Sequence, residues 1–328
     1  MKDDLAVRQY LKNCGIQDIL DLQNLTEIAI NKPNEIFFDR GKGWESLVDK
    51  RASYSNLYSL AIALSVFSKC EKLQEINPIA SVTLPDGERG QILIDPAAEK
   101  GCIYFTIRKP SHTRFTLNDY QKTGRLDEFK KNLASTHKNK INQKLIDLYE
   151  SGDMQSFFEL AVKSNKNILL VGATGSGKTT VMKAFSDLYP SEQRILTIED
   201  VHELDLPNHP NHAHMFYKHG SKVTPKLLIE SAMRMKPDHV LLAELRGDEA
   251  WSYLELLNTG HEGSITTVHA NNCEDAFKRI TSLVKQSPFG SGLDYDFILK
   301  IVQDSLDIIC FFKNTKLAEI KLNLKGVA

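Results

Sequence analysis

Hydrophobic and polar positions keep two different rhythms along this chain. Beyond Asp153, short and mostly apolar runs recur at residues 167–171, 194–198, 239–243, 264–268 and 308–312, separated by stretches of helical periodicity. A strand buried on both faces has no reason to alternate, so these runs predict a mostly parallel sheet with helices on either side, helical to about Asp307 before the last strand. Upstream, to about Phe115, the β-like runs 27–30, 35–39, 82–84, 90–94 and 103–108 are punctuated by turn sequences such as Pro33-Asn34, Gly41-Lys42-Gly43 and Pro85-Asp86-Gly87. Leu57, Leu60, Ala61, Leu64 and Phe67 keep helical spacing within 54–70, which predicts one helix lying across an antiparallel sheet. Between the halves, Thr116 to Asp153 is polar and lysine-rich but built from helix formers. The expected organisation is an α+β domain over 1–115, a helical linker over 116–152 and a larger α/β domain over 153–328.

Length agrees with this division, since 328 residues exceed a comfortable single core. The hydrophobic fraction of 41% and charged fraction of 25% are those of an ordinary globular protein. No stretch reaches the roughly 20 apolar residues that span a bilayer, and the acidic, polar opening Met1-Lys2-Asp3-Asp4 is unlike a signal peptide, so a cytoplasmic location is expected. Five scattered cysteines, none in a C-x-x-C pair, fit reduced thiols. A net charge of −1 lacks the basic footprint of a nucleic-acid binder, so no sequence-specific nucleic-acid contact is expected, and Lys130-Lys131 and Lys138-Asn139-Lys140 read as a solvated face.

The chemistry begins at Gly172-Ala173-Thr174-Gly175-Ser176-Gly177-Lys178-Thr179, followed by Thr180, which fits the phosphate-loop pattern G-x-x-x-x-G-K-[ST] between a predicted strand and helix. Backbone N–H groups of such a loop and the helix N-terminus converge on an anion. Lys178 is placed to reach the β- and γ-phosphates of ATP, and the Thr179 hydroxyl to join the shell of a Mg²⁺ ion. Carboxylates are then expected at neighbouring strand ends. Glu199 closes one apolar run, in Ile198-Glu199-Asp200-Val201-His202-Glu203. Glu244 closes another, in Leu241-Leu242-Ala243-Glu244-Leu245-Arg246, where Ala243 stands in place of the usual aspartate, so Glu244 and Glu199 are expected to act on the metal through water. Either carboxylate also suits a helix N-cap or a surface acid. After the fourth run, His269 could sense the terminal phosphate.

These boxes, from the phosphate loop through the acidic box and Glu244-Leu245-Arg246 to Gly260-His261 and His269, occur in the order seen in secretion traffic ATPases. The chain resembles their type IV secretion branch, relatives of type II secretion and type IV pilus motors. The resemblance extends upstream to Leu25-Thr26-Glu27-Ile28, Gly87-Glu88-Arg89-Gly90-Gln91 and Ile107-Arg108-Lys109-Pro110-Ser111. It implies a RecA-like P-loop domain, a homo-hexameric ring, and nucleotide held between the two domains of a subunit, with Arg89 and Arg108 reaching the phosphates. It also implies partners among other secretion-system ATPases and inner-membrane components, through which the ring associates peripherally with the membrane. A nucleic-acid translocase is the alternative. Lys236 departs from the arginine expected there and leaves that position without an assigned role. The five histidines from His202 to His219 read as a flexible loop rather than a zinc site, for want of spacing and cysteine partners. The long segment from Pro110 to Gly172 suits a connection that carries one subunit's first domain over a neighbour.

Overall fold

The computed structural model describes residues 2–110, 115–127 and 140–325. The first part comprises α1 (Lys2–Asn13), α2 (Ile16–Leu20), β1 (Glu27–Ile30), β2 (Glu35–Asp39), β3 (Trp44–Val48), α3 (Tyr54–Phe67), β4 (Ile79–Thr83), β5 (Arg89–Leu93) and β6 (Tyr104–Arg108). Its six strands form an antiparallel sheet in the order β3-β2-β1-β6-β5-β4. Ser53 caps α3 by accepting the Asn56 N–H, and Leu57, Leu60, Ala61 and Leu64 bury the face that the helical spacing marks out, in one core with Ile28, Ile92 and Phe105.

The second part follows with α4 (Leu117–Lys122), α5 (Lys140–Ser151), α6 (Met154–Lys163), β7 (Ile168–Val171), α7 (Lys178–Ser186), β8 (Ile195–Glu199), β9 (His212–Phe216), α8 (Pro225–Ala232), β10 (His239–Leu242), α9 (Glu249–Leu257), β11 (Ile265–Val268), α10 (Cys273–Gln286), α11 (Tyr295–Ser305), β12 (Ile308–Lys313) and β13 (Lys316–Leu322). The seven-stranded sheet runs β13-β12-β7-β11-β10-β8-β9, parallel throughout except for the antiparallel edge strand β13. Its central strands are buried along their whole length, as unbroken apolar runs require. One face carries α8 to α11, around Leu242, Leu254 and Phe277, and the other carries α5 to α7, around Leu170, Phe157 and Met182. Among the described residues no helix is long and apolar enough to cross a membrane.

Two expectations change, and one strand goes unannounced. The histidine-rich stretch contains a strand: His212–Phe216 pairs in parallel with Ile195–Glu199, and histidines occupy positions where an apolar strand would carry valine or isoleucine. The run Trp44–Val48 is also a strand, a half-exposed edge whose alternation is too weak to announce it. Within the expected linker, α5 buries Leu145 in the core of the second part, so this helix packs as part of it, while Lys130-Lys131, residues 138–139 and Ser111 lie outside the described residues.

A buried joint ties the two sheets together. Arg194, wholly inaccessible, donates to the Met235 carbonyl and to Asn211 in the second part, and to Asn31 at 2.9 Å and Thr106 at 3.4 Å in the first. Its guanidinium also lies over the Trp44 ring, and burial pulls its pKa down to about 10. Beside it, Lys236 forms a 2.6 Å ion pair with Asp39 across the same boundary, which gives that position a structural role. The Tyr104 hydroxyl donates to the His214 carbonyl at 3.0 Å, and the Phe216 N–H donates to the Ala97 carbonyl, so the outer edge of β9 is covered by the first part.

Candidate active site

The phosphate loop leaves the carboxyl end of β7 and enters α7. Only glycine fits at 172, where a Cβ would sit 2.5 Å from both the Phe312 carbonyl oxygen and Ser176 Oγ, and Gly177 takes φ 88 to turn the chain into the helix. The tip, Ala173 to Gly175, faces solvent, Gly177 and Thr179 are half-buried, and Thr180 is exposed. Ser176 Oγ is buried without a hydrogen-bond partner, an orphan that a phosphate oxygen would satisfy. Lys178 donates from Nζ to the carbonyls of Gly172 at 2.9 Å and Ala173 at 3.1 Å. Burial lowers its pKa, Glu244 opposes that shift, and Arg246 adds to it. A cradle with a buried lysine, converging N–H groups and an unpaired hydroxyl fits a triphosphate, and Thr179 in the first turn of α7 fits a magnesium ligand.

Glu244 follows β10 and faces this loop at 14% side-chain exposure. One oxygen accepts from Arg246 at 2.8 Å and the other lies 3.1 Å from His269 Nε2. Arg246 reaches in addition to Asp200 at 2.9 Å, and its hydrogen bond to Glu244 is the largest reason its pKa is raised. The backbone supports the arrangement: Thr267 Oγ1 donates to the Ala243 carbonyl, and Glu249 accepts from the N–H groups of Arg246 and Gly247. Lys178, Glu244, Arg246, Asp200 and His269 thus form one charged cluster at the carboxyl ends of β7, β8, β10 and β11.

Glu199 makes no hydrogen bond to that cluster among the described residues and is held by partners of its own. Its side chain is fully buried, accepting from Thr197 Oγ1 at 2.7 Å and from the N–H groups of Glu203 and Leu204 at 2.8 Å each. Burial pushes its pKa up, but the hydrogen bonds from His214, Leu204, Thr197 and Glu203 outweigh that and hold it below the usual carboxylate value. Thr197 and Glu199 share a face of β8, so a residue two places along the strand stays inside. Every residue of β8 is buried, and the next one, Asp200, emerges beyond the strand end.

Arg89 and Arg108 also lie elsewhere. They line a cleft of about 560 Å³ with Glu27, Arg234, Lys236 and His261. Lys236 and His261 precede β10 and β11, so this cleft sits at the amino ends of the parallel strands, whereas the phosphate loop sits at the carboxyl ends. A four-residue strand separates the two edges by about 13 Å. Within one chain, Arg89 and Arg108 line a cleft apart from the phosphate loop. Arg108 is 77% exposed and, among the described residues, pairs loosely at 3.7 Å with Glu27, whose pKa burial raises to about 7. The cleft is strongly cationic.

The family model for "Type II/IV secretion system protein" matches residues 134–311. The type IV secretion system protein VirB11 of Brucella suis biovar 1 (strain 1330) is 42% identical over 303 residues, covering 90% of this chain and 82% of its own length. VirB11 of Bartonella henselae is 41% identical over 324 residues, covering 94% of this chain and 90% of its own. The crystal structure of the VirB11 ATPase from the Brucella suis type IV secretion system in complex with sulphate matches with a TM-score of 0.91 at 39% identity, covering 98% of this chain and 96% of that one.

Proposed function

The chain belongs to the type II/IV secretion system protein family, on its VirB11 branch, and from that membership we propose a Mg²⁺-dependent ATPase that assembles as a homo-hexamer. The ring powers substrate export or pilus assembly at the cytoplasmic face of the inner membrane, alongside other secretion-system ATPases and membrane components. One observation carries the ATPase reading: a glycine cradle with an unpaired buried Ser176 hydroxyl and Lys178 stands opposite Glu244.

Lys178 gives up two neutral carbonyl partners for β- and γ-phosphate oxygens, and desolvation strengthens that pairing. The loop to Thr180 supplies N–H donors fixed before the substrate arrives, apart from those of Gly172 and Ser176, which bond the Val268 and Ala173 carbonyls, so little reorganisation is needed as charge develops. Glu244 takes the attacking water as an acceptor, its two oxygens aimed by Arg246 and His269. Thr179 would hold the magnesium ion, with Glu244 acting on it through water, and the ion would supply charge neutralisation at the phosphates. Arg89 and Arg108 act on the phosphates of a neighbouring subunit in the ring, where a guanidinium grip lost with the γ-phosphate turns hydrolysis into movement.

Steady-state ATP hydrolysis by the purified protein tests this. Lys178→Ala is expected to lower turnover by at least about a hundredfold, with Glu244→Gln retaining nucleotide affinity while losing turnover. Near wild-type rates for Lys178→Ala would refute the assignment.

A further inference from the structure

One row of charged side chains crosses the first sheet on a single face. Asp39 on β2 lies opposite Glu27 on β1, Glu27 opposite Arg108 on β6, and Arg108 opposite Arg89 on β5. Residues paired in this way project to the same side with Cβ atoms about 4.5–5.5 Å apart. Asp39 is already satisfied: Lys236 pairs with one of its oxygens at 2.6 Å, and the N–H groups of Gly41, Lys42 and Gly43 donate to the other. Glu27 is not. It is only 6% exposed, and it meets Arg108 at 3.7 Å, beyond hydrogen-bond length. Like charges directly opposite repel, as Arg89 and Arg108 do here. The second part adds Arg234, whose guanidinium donates to the Glu230 carbonyl, a neutral partner. Among the described residues Glu27 is the one carboxylate lining a cleft that holds three arginines.

We propose that Glu27 is a proton-accepting counter-ion in this cleft: an anion bearing phosphoryl groups, entering between Arg89, Arg108 and Arg234, takes over its place beside Arg108, and Glu27 picks up a proton from solvent as the anion binds. The proposal deepens the reading of these arginines as the grip on a neighbour's phosphates, and rests on it. Carboxylate and phosphate compete for one guanidinium. Burial is the largest influence on Glu27 and Asp39 adds to it, while Lys236, Arg108 and Arg194 oppose it, so that the carboxyl changes charge at about 7 in the empty cleft. An anion beside Arg108 offsets that attraction and brings a like charge close, and both effects favour the neutral acid. The protonated carboxyl then has an O–H to donate to the anion where it had a charge to repel it. When the anion leaves, the proton returns to solvent. His261 is the remaining group of the cleft with an ordinary value near neutrality, and burial moves it down, out of this range.

The test uses full-length protein whose phosphate loop is disabled by Lys178→Ala, titrated by calorimetry with methanedisulfonate. This probe presents two tetrahedral anionic groups and, as the salt of a strong acid, carries no proton of its own. Its affinity should fall at least about tenfold between about pH 6 and about pH 8.5, the change that one unit of pKa difference between empty and occupied cleft produces. Glu27→Gln should remove the fall and bind at the upper pH as tightly as the parent does at the lower, a gain that damage to the fold does not produce. His261→Gln should keep the fall, and Arg108→Ala should lose binding at both values. No binding by the parent, an affinity independent of pH, or the same fall in Glu27→Gln overturns the proposal. Recovery of ATPase activity on mixing Arg89→Ala with Lys178→Ala subunits reads the neighbour assignment separately, so a flat titration accompanied by recovery fails Glu27 alone.

Discussion

Glu199 and Asp200 are neighbours in sequence and opposites in environment. The first is sealed inside with hydrogen-bond donors around it, and the second is half-exposed and paired with Arg246. Glu199→Ala strands two backbone N–H groups in the interior and should cost about 3 kcal/mol, read as a lower urea midpoint at neutral pH. Glu27 makes the opposite kind of prediction. Its ordinary value of 4.5 rises to about 7 on folding, mainly through burial. Between those values the folded chain keeps a proton that the unfolded chain releases, so this residue's contribution falls as pH rises through the window and stays lost above it. Glu27→Gln should therefore stabilise the protein at pH 8 by on the order of 1–3 kcal/mol and have little effect below pH 4.5, checked by denaturant unfolding at both ends. At this scale the sequence spoke clearly for the loop from Gly172 to Thr180, where spacing alone dictates geometry. It was silent on Glu199, since the side of a strand on which a carboxylate falls depends on where that strand ends.

At the scale of elements, continuous apolar runs located five strands of the larger sheet to within a residue or two, because burial on both faces leaves no alternation to misread. The strand His212–Phe216 escaped for a complementary reason. Its histidines are kept inside by specific partners, the His209 carbonyl three residues upstream for His212 and Thr197 on the neighbouring strand for His214, which no hydrophobic pattern reports. The same holds for Arg194, whose charge suggested a surface and whose contacts make it the central pin between sheets. Removing it leaves Asn31, Asn211 and the Met235 carbonyl without their shared donor. Arg194→Ala is expected to cost about 3–5 kcal/mol and to loosen the boundary between the two parts, seen as faster amide exchange in β1, β6 and β9.

For the whole molecule, the decisive relation is between two sites that one chain cannot join. Arg89 and Arg108 open at one edge of the parallel sheet and the phosphate loop at the other. If those arginines serve a neighbour, Arg89→Ala and Lys178→Ala subunits should each be nearly inactive alone. Mixing them should restore a measurable fraction of ATPase activity, because some junctions in a mixed ring pair an intact arginine with an intact loop. No recovery on mixing, with six-fold rings confirmed by negative-stain imaging, would remove the arginines from the reaction. The fold class was readable in advance, but the separation of these sites was not. It arises from how one sheet is set against the other by Arg194 and Lys236, a relation among distant segments.

That opposed placement has a consequence for when turnover starts. If the arginines serve a neighbour, a solitary subunit, whose cradle and cationic cleft face apart, should lie idle however much ATP surrounds it. Specific activity should then climb steeply with protein concentration and level off once rings are complete, as expected of a motor whose ignition is its own assembly.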